Sequence, residues 1–293
     1  MTMEFLNGHV LGQNGRSTGE LIGPHLMKYL ALFAVLLMLF CAVSRAGVET
    51  GGAAYARGDY PAAFKEFQIS ADRGDAVGEY WLGWLYANGR GVARSERQAA
   101  FWYRKAAEQG HAGAQYDLGV LYANGLGVAQ DYREALSWYR RAAEQGYAPA
   151  QFNLGYLYSA KGLGVAQDDA RSMRWYRRAA EQGFAPAQNE LGSMYFSGQG
   201  AVMDFTQARL WYDKAAQQGF APAQYNLGLI YFEGRGVAAD RVAAYRWFLA
   251  AAAAGSQGAR ERLAQLGPLL SAAQIAQARA MAGRSLDGPG VKK

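Results

Sequence analysis

Few side chains in this sequence could perform covalent or acid–base chemistry. Its 293 residues include three histidines and one cysteine. A hydrolase needs a nucleophile with a base in reach, and His111 is the one histidine beyond residue 46. His111 falls in a column with Tyr147, Phe184, Phe220 and Ser256, spaced 36 or 37 residues apart. It therefore reads as one variant at a recurring surface-loop position and not as a singular base. A zinc site with one imidazole and no thiolate would need carboxylates in place of the usual nitrogen and sulfur ligands, and no such cluster stands out. The sequence offers no catalytic residue, metal ligand or cofactor site, and the expectation is a protein that is not an enzyme.

Two patterns look chemical and have a structural explanation. Gly89-Arg90-Gly91-Val92 recurs as Gly125-Leu126-Gly127-Val128, Gly162-Leu163-Gly164-Val165 and Gly234-Arg235-Gly236-Val237. A phosphate-cradling loop would follow a strand and carry a third glycine. Here the segment follows a helical pattern, so a tight helix-to-helix turn with its valine in the core is expected. The tryptophans Trp102, Trp138, Trp175, Trp211 and Trp247 could stack on ligands. Repeated once per unit at helical spacing, they read as core.

The elements that position these residues form a repeat. Units open at Gly78, Ala114, Ala150, Ala187 and Ala223, with a period of 36 residues and one of 37, and a sixth opens at Ala259 before diverging. Such a period marks a solenoid, whose units bury their apolar faces only by stacking. The first helix of each unit carries Leu82, Leu118, Leu154, Leu191 or Leu227, then a glycine, then Tyr86, Tyr122, Tyr158, Tyr195 or Tyr231. A glycine inside a helix costs about 1 kcal/mol against alanine, so its recurrence implies close approach of the second helix. Ser95, Asp131, Asp168, Asp204 and Asp240 are suited to cap the second helices, three of them with Gln98, Glu134 or Gln207 placed for a capping box. Gly110, Gly146, Gly183, Gly219 and Gly255 end those helices, and Pro149, Pro186 and Pro222 open the next.

The columns Ala-Gln-x-x-Leu-Gly-x-x-Tyr, Gly-x-Gly-Val, Asp and Trp-Tyr-x-x-Ala-Ala-x-x-Gly closely resemble the Sel-one-like repeat, a relative of the tetratricopeptide repeat. The resemblance covers residues 78–258. It implies an all-α fold, a right-handed superhelical solenoid of antiparallel helix pairs, used as a protein-binding adaptor and commonly exported in bacteria. Some cysteine-rich members resemble β-lactamases in reported activity, but this chain lacks their paired cysteines. One residue is inserted around Ser159 to Lys161, which should distort one turn. Residues 47–77 look like a partial N-terminal repeat with Asp59 in the capping column and Gly74 in the terminal glycine column. Residues 259–282 should cap the C-terminal end, with Ser271 to Gln274 as a capping box, and 283–293 form a disordered tail.

Hydrophobic residues make up 51% of the chain and charged residues 18%, too apolar for general disorder. The net charge of +6 is spread over bases that alternate with acids, so nucleic acid is not an expected partner. Met27-Lys28, an apolar run from Tyr29 to Val43 and Ser44-Arg45-Ala46 have the order of a secretory signal peptide over 27–46, cut after Ala46. The apolar run is shorter than a spanning helix needs. A periplasmic or secreted protein without stable membrane insertion after cleavage is expected; an uncleaved inner-membrane anchor is the alternative. Phe40 before Cys41 does not suit lipid modification, and Cys41 would leave with the signal. Residues 1–26 fit no part of the signal and read as an upstream mis-start or a non-structural leader.

Function should lie where the units differ. By analogy with tetratricopeptide repeats, the concave groove is lined by Tyr80, Tyr116, Phe152, Asn189 and Tyr225 in one column and by Trp84, Tyr156 and Ser193 in another, with Asn88 and Asn124 beside them. Aromatic and amide side chains suit a partner peptide or protein; the same rings could instead bridge neighbouring units. The expected function is a non-catalytic interaction scaffold of the bacterial cell envelope. A glycan- or peptidoglycan-binding factor is one alternative, and a β-lactamase-like hydrolase a further one. Export has a direct test: protein recovered from outside the cytoplasm should begin near Gly47 on N-terminal sequencing, whereas full-length chain confined to the cytosol would contradict it.

Overall fold

A computed structural model describes residues 47–160 and 165–286, with side chains described as far as Ala282. The expected signal segment, the leader before it and the end of the tail lie outside the described residues. All regular structure among the described residues is helical, and none of these helices is long and apolar enough to cross a membrane. The chain is an α/α solenoid. Helix α1 is described over 47–56 and is followed by α2 (Tyr60–Asp72), α3 (Ala76–Asn88), α4 (Glu96–Glu108), α5 (Ala112–Asn124), α6 (Tyr132–Glu144) and α7 (Ala148–Ser159). Then come α8 (Asp169–Glu181), α9 (Ala185–Ser197), α10 (Phe205–Gln217), α11 (Ala221–Glu233) and α12 (Arg241–Ala253). A cap of α13 (Gln257–Leu266), a 3-10 turn (Gly267–Leu269) and α14 (Ala272–Leu286) closes the array.

The recurring glycine of each first helix lies under a ring from the second. A Cβ on Gly83, Gly119, Gly155 or Gly192 would stand 2.7 to 2.8 Å from a ring carbon of Tyr103, Tyr139, Tyr176 or Tyr212, and one on Gly228 would meet Phe248 at 2.5 Å. The ring comes from the residue after each tryptophan. The tryptophans lie alongside: Trp102, Trp138 and Trp247 are buried, and Trp175 and Trp211 are half-buried. Around this contact the leucines Leu82, Leu118, Leu154, Leu191 and Leu227 are wholly buried, each stabilising by about 1.5–3 kcal/mol. The alanine pairs at the ends of the second helices are buried with them.

Units are tied to one another by buried glutamines. Gln115, Gln151, Gln188 and Gln224 donate to Ala107, Ala143, Ala180 and Ala216 carbonyls of the preceding second helix at 3.0 to 3.2 Å. Gln145, Gln182 and Gln218 donate in turn to the Oε1 atoms of Gln115, Gln151 and Gln188, one each, at 2.8 Å. In the first matched unit Glu79 takes this place, meeting Lys105 Nζ at 3.3 Å and accepting from Gln109 at 2.7 Å. Burial pushes the Glu79 carboxyl up despite these partners.

The capping columns behave as expected on one side. The side chains of Ser95, Asp131, Asp168, Asp204 and Asp240 accept from the first-turn N–H groups of α4, α6, α8, α10 and α12. The reciprocal half of the expected capping boxes is replaced. The backbone N–H of each cap residue donates instead to the carbonyl of Tyr86, Tyr122, Tyr158, Tyr195 or Tyr231 at 2.8 to 2.9 Å, so the first helix satisfies the start of the second. A complete capping box forms at Ser271, whose N–H donates to Gln274 Oε1 at 2.9 Å while its Oγ accepts from Gln274 N at 3.3 Å.

At three places the structure adds to the sequence-based boundaries. Residues 47–77, read as a partial repeat, hold a helix pair in which a Cβ on Gly51 would meet the Phe67 ring at 2.7 Å, the same interlock as in the later units. The connection between α1 and α2 lacks the Gly-x-Gly-Val turn, which shortens the spacing and hides the pattern in sequence. At the C-terminus α14 continues past Ala282 to Leu286, because one glycine inside a helix costs only about 1 kcal/mol. At the insertion α7 ends at Ser159, and Ala160 is extended (φ −85°, ψ 140°) where the other matched units place a left-handed glycine. The helices on either side keep their pairing.

The second glycine of each described Gly-x-Gly turn has a role the sequence does not announce. A Cβ on Gly127 would lie 2.3 Å from the Glu96 backbone of the preceding unit, and one on Gly91 2.3 Å from that of Tyr60. Gly146 also has positive φ, +89° against +69° for Gly127, yet a Cβ there meets nothing within 4 Å. Gly127→Ala should therefore destabilise well beyond Gly146→Ala in thermal unfolding, since both carry backbone strain and only one carries an inter-unit clash. Equal shifts would show that the turn does not position neighbouring units.

Candidate functional site

The first helices, α3, α5, α7, α9 and α11, line one face of the solenoid. The large rings of the first column are drawn into contacts with the second helix of their own unit and with the residue that follows it. Tyr80 stacks on His111 with centroids 4.4 Å apart. Tyr116 lies 5.4 Å from Tyr147 and 5.8 Å from Tyr139, Phe152 lies 5.6 Å from Phe184, and Tyr225 lies 5.7 Å from Phe248. Trp84 packs edge-on against Tyr55 at 5.4 Å. These side chains brace the array and offer only part of their surface.

Of the remaining expected residues, Asn124, Tyr156 and Ser193 line two cavities. One of about 250 Å³ is lined by Asn124, Tyr132, Tyr139, Asn153 and Tyr156. Tyr156 is 54% exposed, the most open ring of the expected groove. Asn88 and Asn124 are exposed at the ends of α3 and α5, where each Nδ2 donates one turn back to the carbonyl of Trp84 or Val120. The other cavity, of about 440 Å³, is lined by residues of α7 to α11, among them Tyr176, Glu190, Ser193, Tyr212 and Asn226. Asn189 is buried beside it, accepting from Asn226 Nδ2 and donating to Glu190 Oε1, both at 3.0 Å. Tyr212 OH donates to Ser193 Oγ at 3.1 Å.

Sequence reasoning missed the polar column Asp117, Asn153, Glu190 and Asn226, one residue after the aromatic column. Its signal was the recurrence of amides and acids directly before the buried leucine. Burial raises the Asp117 carboxyl to about 6 against a hydrogen bond from Tyr80 that lowers it. No lysine or arginine occurs in α3, α5, α7, α9 or α11, so Glu190 faces its cavity, and Asp117 is buried, without a base on the same helices. Among the described residues no group of histidines, cysteines and acids could hold a metal ion.

His111 is the N-cap of α5, half-buried, with Nδ1 accepting from Ala114 N at 3.1 Å. That corrects its reading as a surface-loop variant. The bond requires an unprotonated Nδ1, and burial, opposed by Asp75, pushes the imidazole pKa down. In the unfolded chain the group titrates at about 6.5. The folded state resists protonation there, so the contribution of His111 to stability is complete above that pH and is lost as pH falls below it. His111→Asn keeps a capping side chain that does not titrate. The melting temperature of the wild type relative to this variant should be constant above pH 7 and drop towards pH 5; a pH-independent difference would contradict the neutral cap.

The pattern of the Sel1 repeat matches residues 76–111, 112–147, 148–184, 185–220 and 221–256. Among solved structures, the chain is similar to a Sel1 repeat protein from Oxalobacter formigenes, with 34% identity and a TM-score of 0.68, over 73% of this chain and 88% of that one. It is also similar to c5321, a protective antigen present in uropathogenic Escherichia coli strains that displays an SLR fold, with 29% identity and a TM-score of 0.55. That match covers 83% of this chain and 61% of c5321. No protein of curated function matches the chain. Sel1 repeat proteins generally act as scaffolds for protein–protein interaction and are typically non-catalytic. With five matched repeats and their interlocking helix pairs, the chain belongs to the Sel1 repeat family.

Proposed function

We propose that this protein is a non-catalytic scaffold of the bacterial cell envelope that binds a peptide or protein partner on its first-helix face. The observation that carries the reading is the pair of cavities on that face, of about 250 and 440 Å³, where ring, amide and carboxyl groups stay open after the packing of the repeat has been satisfied. Tyr156, Asn124, Ser193, Glu190 and Asn226 are the contact residues. Tyr80, Tyr116, Phe152, Trp84 and Tyr225 support them, and Asn189 orients the carboxyl and amide beside it. A face with acids and no bases favours a segment that brings N–H donors or a lysine or arginine side chain. The envelope assignment rests on the signal-like segment over 27–46.

The test separates contact from support. A partner captured from envelope extract should bind Tyr156→Ala/Asn124→Ala about tenfold more weakly or worse, because central interface aromatics contribute disproportionately, while the melting temperature stays near that of the wild type. Tyr116→Ala should lower the melting temperature instead. Unchanged affinity at unchanged stability would remove this face from the reading, and selective capture on a glycan array in place of protein would favour the glycan alternative.

A further inference from the structure

The second helices present a different chemistry. Between α6 and α8 a cleft of about 260 Å³ is lined by Arg140, Arg171, Arg174, Arg178, Glu144, Tyr158 and Trp175. Four guanidinium groups thus surround one space with a single carboxylate on its wall. Three are held in place from behind. Arg140 donates to Tyr158 OH at 2.9 Å, Arg171 meets Asp168 at 3.0 Å, and Arg178 lies 4.6 Å from the centroid of the Trp175 ring. The fourth, Arg174, is exposed and has no ion pair or hydrogen bond among the described residues. It also borders a neighbouring cavity of about 410 Å³ with Arg177 and Arg178.

The repeats supply an internal control. Bases equivalent to Arg140 and Arg178 recur: Arg104 and Arg177 also donate to tyrosine hydroxyls, and Lys105, Arg141 and Lys214 lie over tryptophan rings. Those two positions belong to the packing of the repeat. The pairing of Arg171 with Arg174 does not recur. In the preceding unit their columns hold Glu134 and Ser137, in the following unit Gln207 and Leu210, and in the last Ala243 and Arg246, the latter over the Trp247 ring. The excess of positive charge is therefore local, and it adds mutual repulsion among the guanidiniums that neither helix capping nor core packing requires.

We propose that this cleft binds a phosphate-bearing anion. Guanidinium forks match phosphate oxygens two at a time, and a group of several negative charges can engage three or four arginines where a lone carboxylate would satisfy one. The cleft is smaller than a pocket for a drug-sized ligand and suits one or two phosphoryl groups, with the Trp175 ring as an apolar wall for whatever carries them. The source is a soluble phosphate compound or a phospholipid headgroup, both of which present the same oxygens.

The probe is inorganic pyrophosphate, titrated calorimetrically into the full chain at low ionic strength. The variant Arg171→Gln/Arg174→Ser installs the residue types of Gln207 and Ser137, which neighbouring units already accommodate in these columns. Arg97→Gln/Arg133→Gln removes the same charge away from the cleft and serves as control. The wild type and the control should bind at one saturable site, and the cleft variant should lose at least tenfold in affinity with its melting temperature preserved. No saturable binding, or equal weakening in both variants, would overturn the site. Phosphatidylglycerol vesicles, with phosphatidylcholine vesicles for comparison, identify the source. Binding that the cleft variant loses and pyrophosphate displaces assigns a headgroup, and pyrophosphate binding without vesicle binding assigns a soluble compound.

Discussion

A ring pressed against a helix glycine is the contact from which the rest of the architecture follows. Because Tyr103, Tyr139, Tyr176, Tyr212 and Phe248 occupy the space where a Cβ would stand, the two helices of each unit approach more closely than side-chain packing on both would allow. That proximity makes alanine the only apolar residue that fits at the second-helix ends and brings each cap residue within reach of a first-helix carbonyl. The glycine cost of about 1 kcal/mol per unit is offset by burial of an aromatic ring, which is worth more.

Within a unit the interlock is apolar; between units apolar packing is joined by polar and backbone contacts. The glutamine ladder bonds each first helix to the second helix before it, and the second turn glycine seats one unit against the backbone of its predecessor. Both contacts are short and directional, so they set the rotation from one unit to the next. In an array whose stability is a sum of units and nearest-neighbour interfaces, a substitution in the ladder or the turn acts at one junction. A substitution at a ring or its glycine acts inside one unit.

The helix pairs, their caps and their ends were legible in sequence because each rests on a residue type with one strong local preference, repeated in phase. The aspartates of the capping column and Ser271 are examples. What was not legible depends on distance between units. Gly91 and Gly127 look like ordinary turn glycines until the preceding backbone is seen against them. His111 looks like a loop variant until its ring is found on Tyr80 and its nitrogen on Ala114. The aromatic column looked like a binding surface, yet most of it is spent on bracing. Two rings of the same type, Tyr116 and Tyr156, sit in different columns, and only Tyr116 has Tyr139 and Tyr147 packed on it, which is a tertiary fact.

The repeat leaves few positions free, and the free positions divide by charge. In the first helices the recurring alanine, glutamine, leucine, glycine and tyrosine columns are committed to packing, so variation is confined to columns that carry acids, amides and rings and no base. The second helices bear arginines and lysines at their outer columns, two of which hold a tyrosine hydroxyl or cover a tryptophan. A solenoid about two helices thick keeps these faces apart, so field lines from one are weakened by the low-dielectric core and by salt before they reach the other. The partner proposed for the first-helix face and the anion proposed for the second-helix face would therefore not compete through charge. Around α7 the two faces stand two residues apart in sequence, with Tyr156 exposed on one and Tyr158 turned to the arginines of the other.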